Sequence, residues 1–305
     1  MQVVAQTYPF GGITILPDVI RYNPKNWFGL IFHAYSQQVF RRLIPAMLGI
    51  ALLTAAVCYI ELIWLEEPLE ISNAVHSLLG FVLSLFLVFR TNTAYDRWWE
   101  GRKQWGGLVN VTRTLAIRME ANISDPEERR WWVQSISSFS KALRDHLRGG
   151  VGADLREDWA AWAGPDIRTV QHVPNYIASL MSHRLKTLRK AGTLTDQEHW
   201  LLEANLERKV DILGACERIL KTPIPYSYSM FMKKFIFIYV ITLPLGFVYT
   251  FDWWTIPVVM IVFYVLVSIE LIAEEIEDPF GTDDNDLPLN DLCTTMQNNV
   301  EEIFR

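Results

Sequence analysis

The chain has 305 residues, of which 50% are hydrophobic and 20% charged, and its mean hydropathy is +0.13. It is too apolar for an ordinary soluble domain and too charged to lie wholly in a membrane, so a membrane part and a water-facing part are expected. The formal charge of −6 argues against nucleic acid as a partner, and three scattered cysteines without a CxxC motif indicate neither a disulfide framework nor a zinc site.

Four stretches are long and apolar enough to be read as membrane spans, namely residues 43–65, 74–89, 235–249 and 255–272. Basic residues flank the ends that would share one side of the membrane: Arg41, Arg42, Arg90, Arg97, Arg102, Lys103, Lys233 and Lys234. The links after the first and third spans carry only acidic charges. The positive-inside rule therefore predicts a multi-pass protein of the inner (plasma) membrane with both termini cytoplasmic. No cleaved signal peptide is predicted.

The middle of the chain is predicted to be a water-facing domain of amphipathic helices. Asp125-Pro126 is typical of a helix start and Gly149-Gly150 of a helix end, and the sequence TDQE at 195–198 is a capping box. No alternating strand pattern occurs, so the predicted fold class is all-α. Four parts are predicted: two membrane helices in 1–99, the helical domain in 100–230, two membrane helices in 231–276, and an acidic loop with a C-terminal segment in 277–305.

One face of the second span combines large apolar and polar side chains. At 100° per residue Phe81, Leu85 and Phe89 lie within about 80° of one another, and Asn92 and Asp96 return to the same arc. One interpretation is that this face packs against another helix, which leaves the Asp96 carboxylate without a partner. The other is that symmetry-related copies of the helix surround a pore, in which apolar rings gate by dewetting and polar rings follow them.

The segment EDPFGTDDNDLPLN, residues 277–290, follows the last span. Several side-chain oxygens within one turn are typical of a site for a hard cation such as calcium, although the spacing is not that of an EF-hand. An Asx-rich turn that caps the next helix is the alternative.

No motif supports enzyme chemistry, and the chain is predicted not to be an enzyme. The GGxG at 149–152 follows a helix rather than a strand, which favours a flexible connector over a phosphate loop. The six histidines lie far apart in the sequence, so a metal catalytic centre is not predicted. No GxSxG nucleophile motif is found.

Three stretches together resemble the bestrophin family: GFVLSLFLVFRTNTAYDRWWEGR in the second span, TPIPYSYS before the third, and EDPFGTDDNDLPLN after the fourth. The resemblance covers nearly the whole chain, and the NDLPL ending is similar to the bacterial branch. It implies a homopentameric channel around one pore, with four membrane helices per subunit and a helical cytosolic domain. The implied partners are other copies of the chain, the lipid bilayer and monovalent ions.

The resemblance also assigns the pore positions. The three neck positions fall on Phe81, Leu85 and Phe89. In the pore interpretation of the same helical face, Asn92 and Asp96 would follow them in the vestibule. The cytosolic aperture falls on Gln197, between Asp196 and Glu198. An amide there departs from the apolar residue that is usual in the family, so a wetter and less discriminating aperture is expected.

The calcium clasp of the animal members falls on the loop at 278–286. Asp283 and Asp286 stand at side-chain ligand positions, whereas Thr282 and Asn285 replace acids of the animal cluster. Calcium is therefore a candidate ligand, no cofactor is required, and calcium gating is not predicted.

The family contains anion-conducting and cation-conducting members. Carboxylate rings at Asp96, Asp196 and Glu198 favour cations, whereas the aromatic edges of Phe81 and Phe89 favour anions. The sequence predicts a weak preference for cations, with an anion-selective channel as the alternative. Two rival functions are a secondary transporter, for which no inverted repeat is visible, and a membrane-anchored scaffold.

Overall fold

A computed structural model describes residues 34–65 and 73–305, with side chains from residue 41 and from residue 74 onwards in these two ranges. Regular structure in the described residues is helical, with no strand, which confirms the all-α prediction. The α-helices in this part of the chain are α1 Ala34–Tyr59, α2 Asn73–Glu120, α3 Pro126–Leu147, α4 Ala153–Ala163, α5 Val173–Lys190, α6 Asp196–Lys221, α7 Tyr226–Phe251, α8 Thr255–Glu277 and α9 Leu289–Ile303. A π-helical turn at Ile60–Trp64 follows α1.

Local sequence signals set several helix ends. The Asp125 side chain accepts a hydrogen bond from the backbone N–H of Glu128 at 3.1 Å, with Pro126 as the first residue of α3. Helix α3 ends before Gly149 and Gly150, which take the positive φ angles of 108° and 119° that glycine tolerates. The capping box at the start of α6 is formed in both directions between residues 195 and 198. These predicted boundaries are confirmed.

The described residues divide into two compact units. The apolar unit comprises the described residues up to 97 together with 223–277, and the middle unit comprises 98–222 and 278–305. Helix α2 contributes to both. The C-terminal residues 278–305, which follow the last apolar helix in sequence, thus fold with the helices of the middle of the chain.

Three described stretches are long and apolar enough to cross a membrane: Arg41–Trp64, Ala74–Glu120 and Tyr226–Glu277. The last of them consists of α7 and α8, which a short turn beginning at Asp252 separates. In the apolar unit, α1 packs against α7 and α8, and α7 packs against α8. The four predicted spans therefore correspond to α1, the first part of α2, α7 and α8.

The middle unit has an aromatic and aliphatic core. Trp105, Trp132 and Phe139 are fully buried in it, each contributing roughly 1.5–3 kcal/mol to its stability. Helix α3 packs against α5 and α9, and α5 packs against α6. This core holds α6 and the acidic loop before α9, which carry two of the predicted sites.

Candidate pore-lining face and acidic loop

Helix α2 presents the predicted neck residues on an open face. The side chains of Phe81, Leu85 and Phe89 are 68%, 46% and 55% exposed in the single chain. Packing against another helix of the same chain, one of the two interpretations of this face, is therefore not what the described residues show. Three large apolar side chains on successive turns are therefore available to contact another protein surface, lipid or the interior of a pore.

The opposite face of α2 is closely packed. Leu83 and Leu87 are buried in a cluster with Met232, Ile236 and other residues of α7 and α8. Near its N-terminal end, Gly80 lets α7 approach, because a Cβ there would lie 2.7 Å from the Tyr239 hydroxyl oxygen. Packing on one side thus fixes which face of α2 stays open.

The polar residues that follow lie on the same open face. Asn92 and Asp96 are both exposed, and Asp96 forms no ion pair within the described part of a single chain. The neighbouring Arg97, which could have neutralised it, donates instead from Nε to the backbone oxygen of Glu277 at 3.0 Å. The structure brings the five predicted residues of α2 to one open face and leaves the Asp96 charge unpaired there.

Buried charges on the packed side of α2 were missed by the sequence analysis. Arg90, counted there only as a flanking basic residue, is fully buried. Its Nη2 lies 2.7 Å from a carboxylate oxygen of Glu277, and its Nε lies 3.5 Å from one of Glu270. The available signal was an arginine at the end of the apolar stretch of α2, together with two glutamates on α8. These glutamates are seven residues apart, which places them on one side of that helix.

The predicted aperture residues occupy the first turn of α6. Gln197 and Asp196 are exposed. The Asp196 carboxylate accepts a hydrogen bond from Arg189 Nε at 2.7 Å. Glu198 accepts hydrogen bonds from the backbone N–H and the hydroxyl of Thr195, and these bonds hold the pKa of the Glu198 carboxyl below its usual value. Both carboxylates beside Gln197 are therefore already engaged within their own chain.

The acidic loop buries one of its two predicted ligands. Asp286 is 9% exposed, and its Oδ2 accepts a hydrogen bond from the backbone N–H of Asp283 at 2.6 Å. Its Oδ1 is buried without a hydrogen-bond partner in the described residues. Burial raises the pKa of Asp286 to about 7, outweighing the hydrogen bond from Asp283. An oxygen in this state fits a proton or a hard cation.

Neighbouring groups hold the shape of this loop. The backbone N–H of Leu287 donates to the Pro279 oxygen at 2.9 Å, and Arg148 Nε donates to the Phe280 oxygen at 3.0 Å. A Cβ at Gly281 would lie 2.6 Å from Asp286 Oδ2, so a larger residue there would displace that carboxylate. The side chain of Asp283 is exposed. The N-cap residue of α9 is Pro288, which has no side-chain acceptor, so side-chain capping of α9 at that position is not observed.

Comparison with known proteins identifies relatives along nearly the whole chain. The family model for bacterial and fungal bestrophin proteins matches residues 18–302. A Nostoc protein named voltage-dependent anion channel-forming protein is 35% identical over 92% of each chain, and a Synechocystis protein of the same name is 37% identical over 74% of this chain and 76% of its own. The crystal structure of a bacterial bestrophin homologue from Klebsiella pneumoniae superposes with a TM-score of 0.77 at 30% identity, covering 86% of this chain and 98% of the other.

Proposed function

The chain belongs to the family of bacterial and fungal bestrophins, and on that premise we propose that it is a passive ion channel in which five copies surround a single pore. The observation that carries the proposal is the open face of α2. One side of this helix is packed against α7 and α8, while Phe81, Leu85 and Phe89 project from the other. Five such faces around an axis would form three successive apolar rings.

These rings would act as the neck of the pore. An ion that passes a narrow apolar ring loses part of its hydration without gaining protein ligands, so each ring raises the barrier and can gate by dewetting. The exposed side chains of Asn92 and Asp96, on the same face, would rehydrate the ion beyond the neck. This arrangement needs no cofactor and no chemical step.

We propose that the channel conducts anions. The Nostoc and Synechocystis relatives carry anion-channel names, and the positive edges of the rings at Phe81 and Phe89 can face an anion. One of the three carboxylates that favoured cations in the sequence, Asp196, is paired with the positive charge of Arg189. The cation preference that the sequence predicts is not confirmed.

A cation-selective channel is the second candidate, and Asp96 is the observation in its favour. This carboxylate lies on the open face of α2 without an ion pair in the described residues. In a pentamer it would form a ring of five negative charges, which attracts cations and repels anions.

One experiment tests the channel and decides between the two candidates. The purified protein is reconstituted into planar bilayers under a KCl gradient, and the reversal potential is measured. Reversal near the chloride potential supports the anion channel, and reversal near the potassium potential supports the cation channel. Absence of current across a range of voltages and calcium concentrations, with pentamers present in the membrane, contradicts the channel proposal itself.

We also propose that the acidic loop binds calcium through Asp286 and Asp283. The support is the buried Asp286 Oδ1, which has no partner among the described residues, on a loop whose shape other hydrogen bonds hold. A bound calcium ion would be a positively charged partner for this buried carboxylate oxygen. Asp286 would provide the buried ligand and Asp283 an exposed one.

The membrane orientation is the last part of the proposal. Because Lys233, Lys234 and the arginines of α2 flank the same predicted side, we place the middle unit and both termini in the cytoplasm, with the apolar unit in the plasma membrane. Protease digestion of a C-terminal tag in right-side-out and inverted vesicles tests this. Digestion of the tag in right-side-out vesicles only would show that the orientation is the opposite of the one proposed.

A further inference from the structure

Two histidines and a glutamate from three helices meet at one point of the middle unit. His146 lies in the last turn of α3, His172 is the N-cap residue of α5, and Glu217 lies near the end of α6. His146 Nε2 lies 2.6 Å and His172 Nε2 lies 2.9 Å from the same oxygen, Glu217 Oε1. The two imidazole ring centroids are 4.3 Å apart.

We propose that His146 Nε2, His172 Nε2 and Glu217 Oε1 form a binding site for a divalent transition-metal ion of the zinc class. Two imidazole nitrogens and one carboxylate oxygen are a donor set that zinc uses in proteins. The three donor atoms already lie within 4.8 Å of one another. Tetrahedral zinc with bonds of about 2.0–2.1 Å requires ligand atoms about 3.3 Å apart, so small side-chain adjustments accommodate the ion.

Partial exposure gives the ion a way in. The side chains of His146, His172 and Glu217 are 23%, 30% and 21% exposed, which leaves one side of the cluster open to water. A water molecule can therefore complete the coordination. Burial raises the pKa of Glu217, but hydrogen bonds from the two histidines outweigh it and hold the pKa below the usual value, so the carboxylate is ionised at neutral pH.

Protons and one ammonium group compete with the metal. His172 Nδ1 accepts a hydrogen bond from the backbone N–H of Asn175 at 3.2 Å, so in the metal-free protein the proton of a neutral His172 lies on Nε2 and points at Glu217. Binding must remove this proton from Nε2 and give up the cap on α5. Lys221 Nζ lies 3.8 Å from Glu217 Oε1 and repels a cation.

These contacts predict how the affinity responds to change. The affinity falls as the pH falls, because both imidazole nitrogens must be deprotonated. Replacing Lys221 by glutamine removes the nearby positive charge and tightens binding. The ion would tie the ends of α3, α5 and α6 together, so the loaded protein unfolds at a higher temperature.

Calorimetric titration of the purified full-length protein with ZnCl₂ tests the site, independently of any channel activity. We expect one site per chain, an affinity at least about tenfold weaker in His146→Ala and Glu217→Gln, and an unchanged affinity in His183→Ala, an exposed histidine of α5.

Two outcomes overturn the proposal. In the first, His146→Ala and Glu217→Gln bind zinc with an affinity within twofold of the parent's. In the second, His183→Ala weakens zinc binding as much as those two variants do. Lys221→Gln provides a second test if His146→Ala or Glu217→Gln fails to fold. That variant should bind zinc more tightly and show a larger zinc-induced rise in Tm, and a weaker or unchanged response contradicts the site.

Discussion

The guanidinium Nη2 of Arg90 lies 2.7 Å from a carboxylate oxygen of Glu277, and Arg90 is fully buried beside it. The other Glu277 oxygen accepts a hydrogen bond from the backbone N–H of Ile224, at the entry to α7. One carboxylate therefore joins α2, α8 and the start of α7. Because Arg90 directly follows Phe89, this junction holds the helix that carries the proposed neck.

Arg90→Met should strongly destabilise the protein, because it leaves the buried Glu270 and the half-buried Glu277 without their positive partner. Loss of one partner of a buried pair costs about 3–5 kcal/mol. Thermal unfolding in detergent measures the effect. The matched control is Arg113→Met, on an exposed part of the same helix, which should change stability by less than about 0.5 kcal/mol. If Arg90→Met and Arg113→Met changed the unfolding temperature equally, the buried ion pairs of Arg90 would contribute nothing to stability.

Truncation of the neck should raise the single-channel conductance. Replacing Phe81, Leu85 and Phe89 together by alanine removes the bulk that dehydrates the ion. If the barrier falls by about 1 kcal/mol, the conductance rises about fivefold. Phe237→Ala is the control, because Phe237 is a similarly exposed aromatic residue on α7. A triple variant that conducts no better than the parent would mean that these side chains do not line the pore.

Asp96→Asn should shift the reversal potential towards the anion potential. The change removes five negative charges from the proposed vestibule, so cations lose attraction and anions meet less repulsion. The shift should shrink as ionic strength rises. Asp211→Asn removes the same charge from an exposed position on α6 and should leave the reversal potential unchanged. If Asp96→Asn also leaves it unchanged, Asp96 does not face the ion path.

Lys209 should make the free energy of unfolding depend on pH in the alkaline range. Its Nζ lies 4.9 Å from the Phe139 ring centroid without a hydrogen-bond partner in the described residues, and burial lowers the pKa of Lys209 from 10.5 to about 7. Between these values only the unfolded chain holds the proton. The contribution of Lys209 to the free energy of unfolding is therefore most favourable above pH 10.5, becomes less favourable as the pH is lowered towards 7, and levels off below pH 7.

Lys209→Met should remove this dependence and stabilise the protein at pH 7, because the methionine fills the site without a charge to desolvate. The difference at neutral pH should be at most roughly 5 kcal/mol, from about 3.5 pKa units. Urea unfolding from pH 7 to 10 measures both effects, with the exposed Lys186→Met as control. Parallel pH profiles of the parent and Lys209→Met would contradict the assignment.

Calcium should raise the Tm of the parent, and Asp286→Asn should lose this response. The amide keeps the size of the side chain but not the charge that a calcium ion requires. Because burial raises the pKa of Asp286 to about 7, calcium should bind more tightly at pH 8 than at pH 6. Asp284→Asn, an exposed neighbour, should respond as the parent does. A calcium response that survives Asp286→Asn would place the ion elsewhere.

Local patterns in the sequence were sufficient to predict the helical class and several helix ends. Asp125-Pro126 and the capping box at 195–198 act within one turn, so their effect does not depend on the rest of the fold. The four apolar spans follow from length and hydropathy alone. The spacing of Phe81, Leu85 and Phe89 predicted one helical face, and the structure leaves that face open.

Contacts between distant parts of the chain were beyond the reach of those patterns. Glu277 is 187 positions from Arg90, and Glu217 is 71 from His146, so no local period connects them. Only the packing of α8 against α2, and of α3, α5 and α6 around one core, brings these groups within hydrogen-bonding distance. The sequence by itself determined which segments are helical and which face of α2 is apolar, because those properties depend on neighbours within one or two turns. The tertiary structure alone decided which charges are buried together, because burial depends on helices that meet only when the chain has folded.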